Sequence, residues 1–192
     1  MKELVGNVVL LNRVTGAFDA ASVFQDLDSK NLDDFERIWK PALVIHKTQD
    51  AHWDWVEKAK ETTRSLKYET FAIECDGITQ GLMLVDVTKF AKVESQKGRE
   101  LAYVELLATA PWNRPKFNPQ PLYKGVGRVL IGSVISLSAD LGFRGRIGLH
   151  SLPDSESWYR SEAGFTDVGY DPAKRMRYFE MTEAQATAFI SS

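Results

Sequence analysis

Apolar positions along this chain recur at two periods, and the switches between them outline its elements. Leu4 to Asn12, carrying Val8, Val9, Leu10 and Leu11, predicts a first strand. Ala20 to Leu27 and then Leu32 to Trp39 lean towards helix, with Pro41 expected as the stop. Asp50 is placed to cap a helix over Ala51 to Leu66, where Trp53, Val56, Ala59 and Thr63 recur at helical spacing. From Tyr68 the period becomes two. Phe71, Ile73 and Cys75 share a face, Asp76-Gly77 suits a type I′ turn, and Ile78 to Val87 returns as the partner strand. The charged stretch Lys89 to Glu100 reads as a solvated loop or a strand extension. Leu101 to Ala110 is a strongly apolar strand candidate, closed by Pro111 and a loop holding Pro115, Pro119 and Pro121.

A helix is predicted from about Arg128 to Leu141, striped by Leu130, Val134, Leu137 and Leu141 and ended by Gly142. Arg144 to His150 predicts a strand, and Asp154 or Ser155 opens a short helix to Ala163. Phe165 to Val168 and Met176 to Met181 read as closing strands, and Thr182 caps a terminal helix over Glu183 to Ile190. This order predicts an α/β or α+β fold, a mixed and mostly antiparallel sheet around a central βαβ crossover.

Composition narrows the class. The chain has 192 residues, 44% hydrophobic and 26% charged, which suits one globular domain rather than a disordered or fibrous chain. Twenty-four Lys and Arg against 26 Asp and Glu leave a formal charge of −2, so no basic excess points to nucleic acid. Cys75 is the single cysteine, which excludes a disulfide framework and a thiolate metal cluster. Nothing at the N-terminus reads as a signal peptide, and no apolar run is long enough for a membrane span. A soluble cytoplasmic protein with no membrane partner is expected.

The segment richest in chemistry is strand, loop, Gly125-Val126-Gly127, amphipathic helix, strand. The first amides of a helix lack intrahelical partners and sit at the positive end of its dipole. Glycines there let a backbone approach an anion closely, and Lys124 and Arg128 add positive charge. A glycine turn simply feeding a helix is the other reading. Leu130 stands where a dinucleotide fingerprint needs glycine, and no Walker A run exists, so a pyrophosphate carrier such as coenzyme A fits the cradle.

Leu101 to Phe165 resembles the GNAT superfamily of N-acetyltransferases. Leu107-Ala108-Thr109-Ala110-Pro111 matches its strand ending Leu-Ala-Val-x-Pro. Leu122-Tyr123-Lys124-Gly125-Val126-Gly127 matches its pyrophosphate loop, and Tyr159 with Gly164-Phe165 matches its Tyr…Gly-Phe helix end. The chain departs from the pattern at Leu122, usually Gln or Arg, in the proline-rich insertion, and in one extra residue between Tyr159 and Gly164.

The resemblance implies one domain over 1–192 with helices on both faces. Residues 1–66 would form the N-terminal strand and acceptor-side helices, and 67–192 the acetyl-coenzyme A core with two splayed strands. It implies that Leu107, Ala108 and Thr109 bind the pantetheine arm and that Lys124, Gly125, Val126, Gly127 and Arg128 bind the pyrophosphate. The acetyl group would pass from acetyl-coenzyme A to a primary amine of a small molecule or peptide in a ternary complex, with no metal. Pairing of edge strands into a homodimer is a further implication.

A lysine-type amine has a pKa near about 10.4 and is protonated at neutral pH, so a base is useful. Glu105 is the only charged residue in Leu101 to Ala110 and is the expected base, its carboxyl desolvated in the sheet, unless a neighbouring arginine satisfies it. Tyr159 is the expected acid for the leaving thiolate, or else a core tyrosine. His150 and Ser151 end the next strand, where either could relay a proton or touch the cofactor, or simply be hydrogen-bonded. Trp39, Trp53 and Trp55 either wall the acceptor site, with Asp50 and Asp54 drawing a cation, or pack on the sheet. His46 and His52 lack zinc spacing, and Asp26 to Arg37 lacks the glycine and terminal Glu of a calcium loop. A non-catalytic acyl-coenzyme A sensor or partner-binding module is the alternative from another class. A protein or tRNA acylator is a third reading, the tRNA form disfavoured by charge.

Overall fold

Among the described residues there are nine strands and six α-helices: β1 (Glu3–Asn12), β2 (Phe18–Gln25), α1 (Ser29–Asp34), α2 (Lys40–Ile45), α3 (Trp55–Thr62), β3 (Tyr68–Cys75), β4 (Ile78–Phe90), β5 (Glu100–Thr109), β6 (Tyr123–Lys124), α4 (Val126–Asp140), β7 (Ile147–Ser151), α5 (Glu156–Ser161), β8 (Thr166–Asp171), β9 (Met176–Met181) and α6 (Glu183–Ser191). The computed structural model describes residues 2–192. The strands are hydrogen-bonded in the order β6-β1-β2-β3-β4-β5-β7-β9-β8. β5 and β7 run parallel, joined through α4 as the expected βαβ unit, while β1, β2, β3 and β6, and likewise β7, β8 and β9, pair antiparallel. The fold is α/β with a mixed, mostly antiparallel sheet.

By contact density the chain divides into two compact units, Met1–Leu84 with Leu106–Leu130, and Val85–Glu105 with Ile131–Ser192. In the first, the helical expectation for Ala20 to Leu27 is overturned. β2 is laddered on both sides, Val8↔Ala21 to β1 and Val23↔Ile73 to β3, and it buries Ala21 and Val23 at alternate positions. Two ladders and a period-two buried face outweigh the helical propensity of the alanine pair. Pro41 does not stop the helix either. Phe35–Trp39 widens into a π turn, with the Lys40 amide bonded to the Phe35 carbonyl, and Pro41 enters the first turn of α2, where its missing N–H costs nothing.

Asp50 is not a cap. Helix α3 starts later, at Trp55, where the Asp54 carboxylate accepts the Glu57 amide at 2.8 Å. It ends at Thr62, and Leu66 beyond it is exposed. Asp76 (φ 54°) and Gly77 (φ 70°) make the expected hairpin turn between β3 and β4. The core of this unit gathers Phe35, Trp39, Leu43 and Trp55 on Ala72, Leu82, Leu84, Ala108 and Ala110. Trp39 and Trp55 are therefore core residues and not walls of an acceptor site, and the Trp39 indole donates to the Thr79 carbonyl at 3.2 Å.

The second unit holds the paired strands β7, β8 and β9. Tyr159 of α5 packs against Phe165 and Phe179, ring centroids 5.4 and 5.9 Å away. On the opposite side of the strands, Ala91, Leu101, Tyr103 and Tyr178 form a smaller cluster. The segment after β4 is pinned by Glu180, whose buried carboxylate accepts the amides of Lys92 (2.7 Å) and Val93 (3.0 Å), the Gln96 side-chain amide (2.7 Å) and the Tyr178 hydroxyl (2.8 Å). Four donors offset the cost of a buried charge.

Candidate active site

In the first unit the C-terminal end of β5 and the N-terminus of α4 carry the predicted cofactor residues. The Ala110 amide bonds the Gln80 carbonyl of β4 at 2.9 Å. Alternation along the strand therefore turns the backbone groups of Thr109 and Leu107 to the other edge. Ala108 is buried, and Leu107 and Thr109 are half-buried. The Thr109 carbonyl is already taken: Arg114 donates its Nε to it at 2.8 Å and grips Asp50 with both terminal nitrogens at 2.9 and 2.7 Å. Burial pushes the Asp50 carboxyl up, but the hydrogen bond and charge of Arg114 outweigh it and hold Asp50 below the ordinary carboxylate range. This clamp fixes the end of β5 and the start of the proline-rich insertion, so Asp50 is not a lure for a substrate cation and the Thr109 carbonyl is not open to a pantetheine arm.

Helix α4 opens at Val126, its first internal bond running from the Val129 amide to the Gly125 carbonyl at 2.9 Å. Gly125 has φ 106°, a conformation costly for any side-chain-bearing residue. The amides of Val126 and Gly127 lie ahead of that first bond, at the positive end of the helix. Lys124 and Arg128 are exposed beside them. The turn is seated from two directions. β6 pairs Lys124 with Leu11 of β1, and a Cβ added at Gly81 of β4 would stand 2.8 Å from Val126 Cγ1. Sequence reasoning did not single out Gly81, although a glycine inside an apolar strand is a signal of close approach. The Leu122 carbonyl accepts the Arg13 amide and its own amide bonds the Trp112 carbonyl, so Leu122 positions the loop by backbone.

The second unit carries Glu105, Tyr159 and His150. The β5–β7 ladder pairs Ala102↔Ile147, Tyr103↔Gly148 and Val104↔Leu149, and beyond it β5 runs on to Thr109 and β7 to Ser151. Glu105 is the first residue of β5 after the ladder and is exposed, so it lacks the burial expected of it. Tyr159 is buried among aromatic rings, and burial pushes its phenol well above the usual range. It keeps its proton at every working pH, and full transfer to a thiolate, of pKa about 8.5, would run uphill.

His150 is the residue that sequence reasoning under-weighted. Its side chain is 6% exposed, its Nδ1 lies 2.7 Å from the Tyr103 hydroxyl, and its Nε2 lies 3.0 Å from Asp171 Oδ2. The partners come from β5 and from the end of β8, too far apart in sequence for spacing to connect them. Burial lowers the imidazole's proton affinity, against a smaller opposing pull from Asp171. Among the described residues no group of three or more His, Cys, Asp or Glu side chains is placed to hold a metal, and no helix is long and apolar enough to cross a membrane.

The fold recurs in known structures. An acetyltransferase of the GNAT family from Desulfovibrio desulfuricans superposes with a TM-score of 0.60 at 12% identity, covering 85% of this chain and 99% of that one. The aminoglycoside N-acetyltransferase AAC(6')-Iy in complex with CoA gives 0.55 at 18% identity, over 79% and 91% of the two chains. The KacTA–DNA complex gives 0.58 at 12% identity, over 89% and 98%. No family model matches the sequence, and no curated protein matches it. The protein has the fold of the GNAT acetyltransferases.

Proposed function

We propose that this protein is an acetyl-coenzyme A-dependent acyltransferase whose acceptor is a primary amine of a small molecule or peptide. The observation that carries the reading is the start of α4: a glycine-led helix N-terminus, flanked by exposed Lys124 and Arg128 and seated by β6 and Gly81. Such an end suits a diphosphate, because amides and dipole face the anion without rearrangement. Lys124, Gly125, Val126, Gly127 and Arg128 would hold the pyrophosphate. Leu107 and Thr109 would offer outward backbone amides to the pantetheine arm and the thioester oxygen, with Ala108 buried beneath. Glu105 would take the proton of the bound ammonium, directly or through water, to leave a neutral amine, and Tyr159 would hydrogen-bond the leaving sulfur.

Calorimetry with acetyl-coenzyme A and thiol release with an amine panel test the reading. Binding is expected, weakened about tenfold in Gly125→Ala, since the alanine strains the turn that aims the amides. Glu105→Gln and Tyr159→Phe are expected to slow turnover roughly 10²-fold with cofactor affinity unchanged. Absence of binding at millimolar coenzyme A would overturn the reading. Binding without thiol release from any amine would support the non-catalytic sensor instead.

A further inference from the structure

On one side of β7 the second unit builds a buried polar chain that the proposed roles of Glu105 and Tyr159 leave unused. Tyr103 (β5), Gly148 (β7) and Glu180 (β9) stand in register across three strands, and His150 stands opposite Tyr178. The His150 ring is packed between Tyr103, centroid 5.8 Å away at 65°, and Tyr178, centroid 5.0 Å away at 46°. Room for this comes from Gly148: a Cβ there would lie 2.5 Å from the Tyr178 hydroxyl, which lies over β7 and donates to Glu180 on its own strand. Asp171 closes the chain at Nε2, and Lys92 stands 3.9 Å from the same carboxylate oxygen and over the Tyr178 ring.

Proton positions follow from donor capacity. An ionised carboxylate only accepts, so Nε2 carries the hydrogen and donates it to Asp171. In a neutral imidazole Nδ1 is then bare, and it accepts the Tyr103 hydroxyl hydrogen. The geometry of an orienting carboxylate, a tautomer-fixed imidazole and a hydroxyl donor is that of a proton acceptor aimed at the hydroxyl end. That end belongs to β5, two residues from exposed Glu105 on the same face of the strand.

We propose that Asp171, His150 and Tyr103 form a proton relay in which the Tyr103 oxygen takes the proton released by the attacking amine while its own proton passes to His150 Nδ1. The inference rests on the acyltransferase reading and names the path of its proton. As the amine nitrogen bonds to the thioester carbon, its N–H becomes acidic. That proton moves to the Tyr103 oxygen, the phenolic proton moves to Nδ1, and the imidazolium is balanced by Asp171. The C–S bond then breaks, the thiolate takes a proton from solvent, and His150 returns its proton to solvent when the product leaves. Burial, with the charges of Glu105, Asp171 and Asp86, holds the Tyr103 phenol well above its ordinary range. Tyr103 therefore never ionises by itself and works only by giving one proton as it takes another. The groups facing His150 are Tyr103, Asp171, Tyr178 with Glu180 beyond it, Lys92 and Lys174; the lysines and burial oppose its protonation and Asp171 favours it.

The test pairs imidazole nitrogen NMR with steady-state turnover of acetyl-coenzyme A against a polyamine, an aminoglycoside, an amino acid and a lysine peptide. The relay requires His150 to carry its hydrogen on Nε2 at neutral pH, and an Nδ1–H tautomer would overturn it whatever the activity. For an amine the protein acetylates, His150→Gln and Tyr103→Phe are expected to lower kcat about 10²-fold with the KM for acetyl-coenzyme A unchanged. The parent's kcat should fall as pH drops into the protonation of His150, whose Nδ1 can then no longer accept, and His150→Gln should flatten that limb. Tyr103→Phe removes one oxygen and carries the kcat and KM expectation even if His150→Gln fails to fold. Parent turnover with undiminished rates in both variants sinks the relay alone. Parent protein that acetylates no amine sinks the acyltransferase reading and the relay with it.

Discussion

Arg114 shows how much one side chain decides here. Its guanidinium spends three donors, one on the Thr109 carbonyl and two on the nearly buried Asp50 carboxylate. Removing one partner of a buried pair leaves the other charge desolvated and unmatched, a loss of about 3–5 kcal/mol. Arg114→Ala is expected to lower stability by that order in urea unfolding, whereas the double variant with Asp50→Ala should recover part of it. Because Asp50 is held below the ordinary carboxyl value of 3.8, its contribution is full above that value and is lost as pH falls through the lower folded-state value. His150 has the same sign for a different reason. Its imidazole is held below 6.5, so protonation favours the unfolded chain, and stability should decline as pH falls from about 6.5 towards the lower folded value. Thermal melting across pH 7 to 5 checks this, with a shallower decline expected in His150→Gln.

At the scale of elements, α4 and β4 meet through Gly81. A methyl there would lie 2.8 Å from Val126 Cγ1 and 3.1 Å from Leu130 Cδ1. Val126 has one preferred rotamer in a helix and cannot swing aside, so the first turn of α4 must move. Gly81→Ala is expected to cost about 1–3 kcal/mol and to weaken acetyl-coenzyme A binding, and adding Val126→Ala should restore both. Calorimetry on the two variants checks the coupling. Strands and helices with a strong period were legible beforehand: the β3–β4 hairpin, β5, the helix α4 and the capped α6. Those set by partners were not. β2 reads as helix until ladders on both sides are seen, and Pro41 reads as a stop until the π turn before it is seen.

Across the molecule, β6 and β8 are the outer strands of the order, and β3, β4 and β5 are flanked on both sides. Hydrogen exchange should be slowest in peptides from β3 to β5 and fastest in β8, whose Val168 and Tyr170 are exposed. Uniform protection would contradict that order. The amino-acid sequence alone determined the alternation of strand and helix, the glycine-led start of α4 and, through ordered motifs, the fold, because these depend on neighbours a few residues apart. Tertiary structure alone decided which charged groups are already spent and which are joined. It coupled Asp50 to Arg114, and His150 to Tyr103 and Asp171, across 64, 47 and 21 positions. Hydrogen bonds act over 3 Å in space, and no periodicity in a sequence reports distances between strands that meet only when the chain has folded.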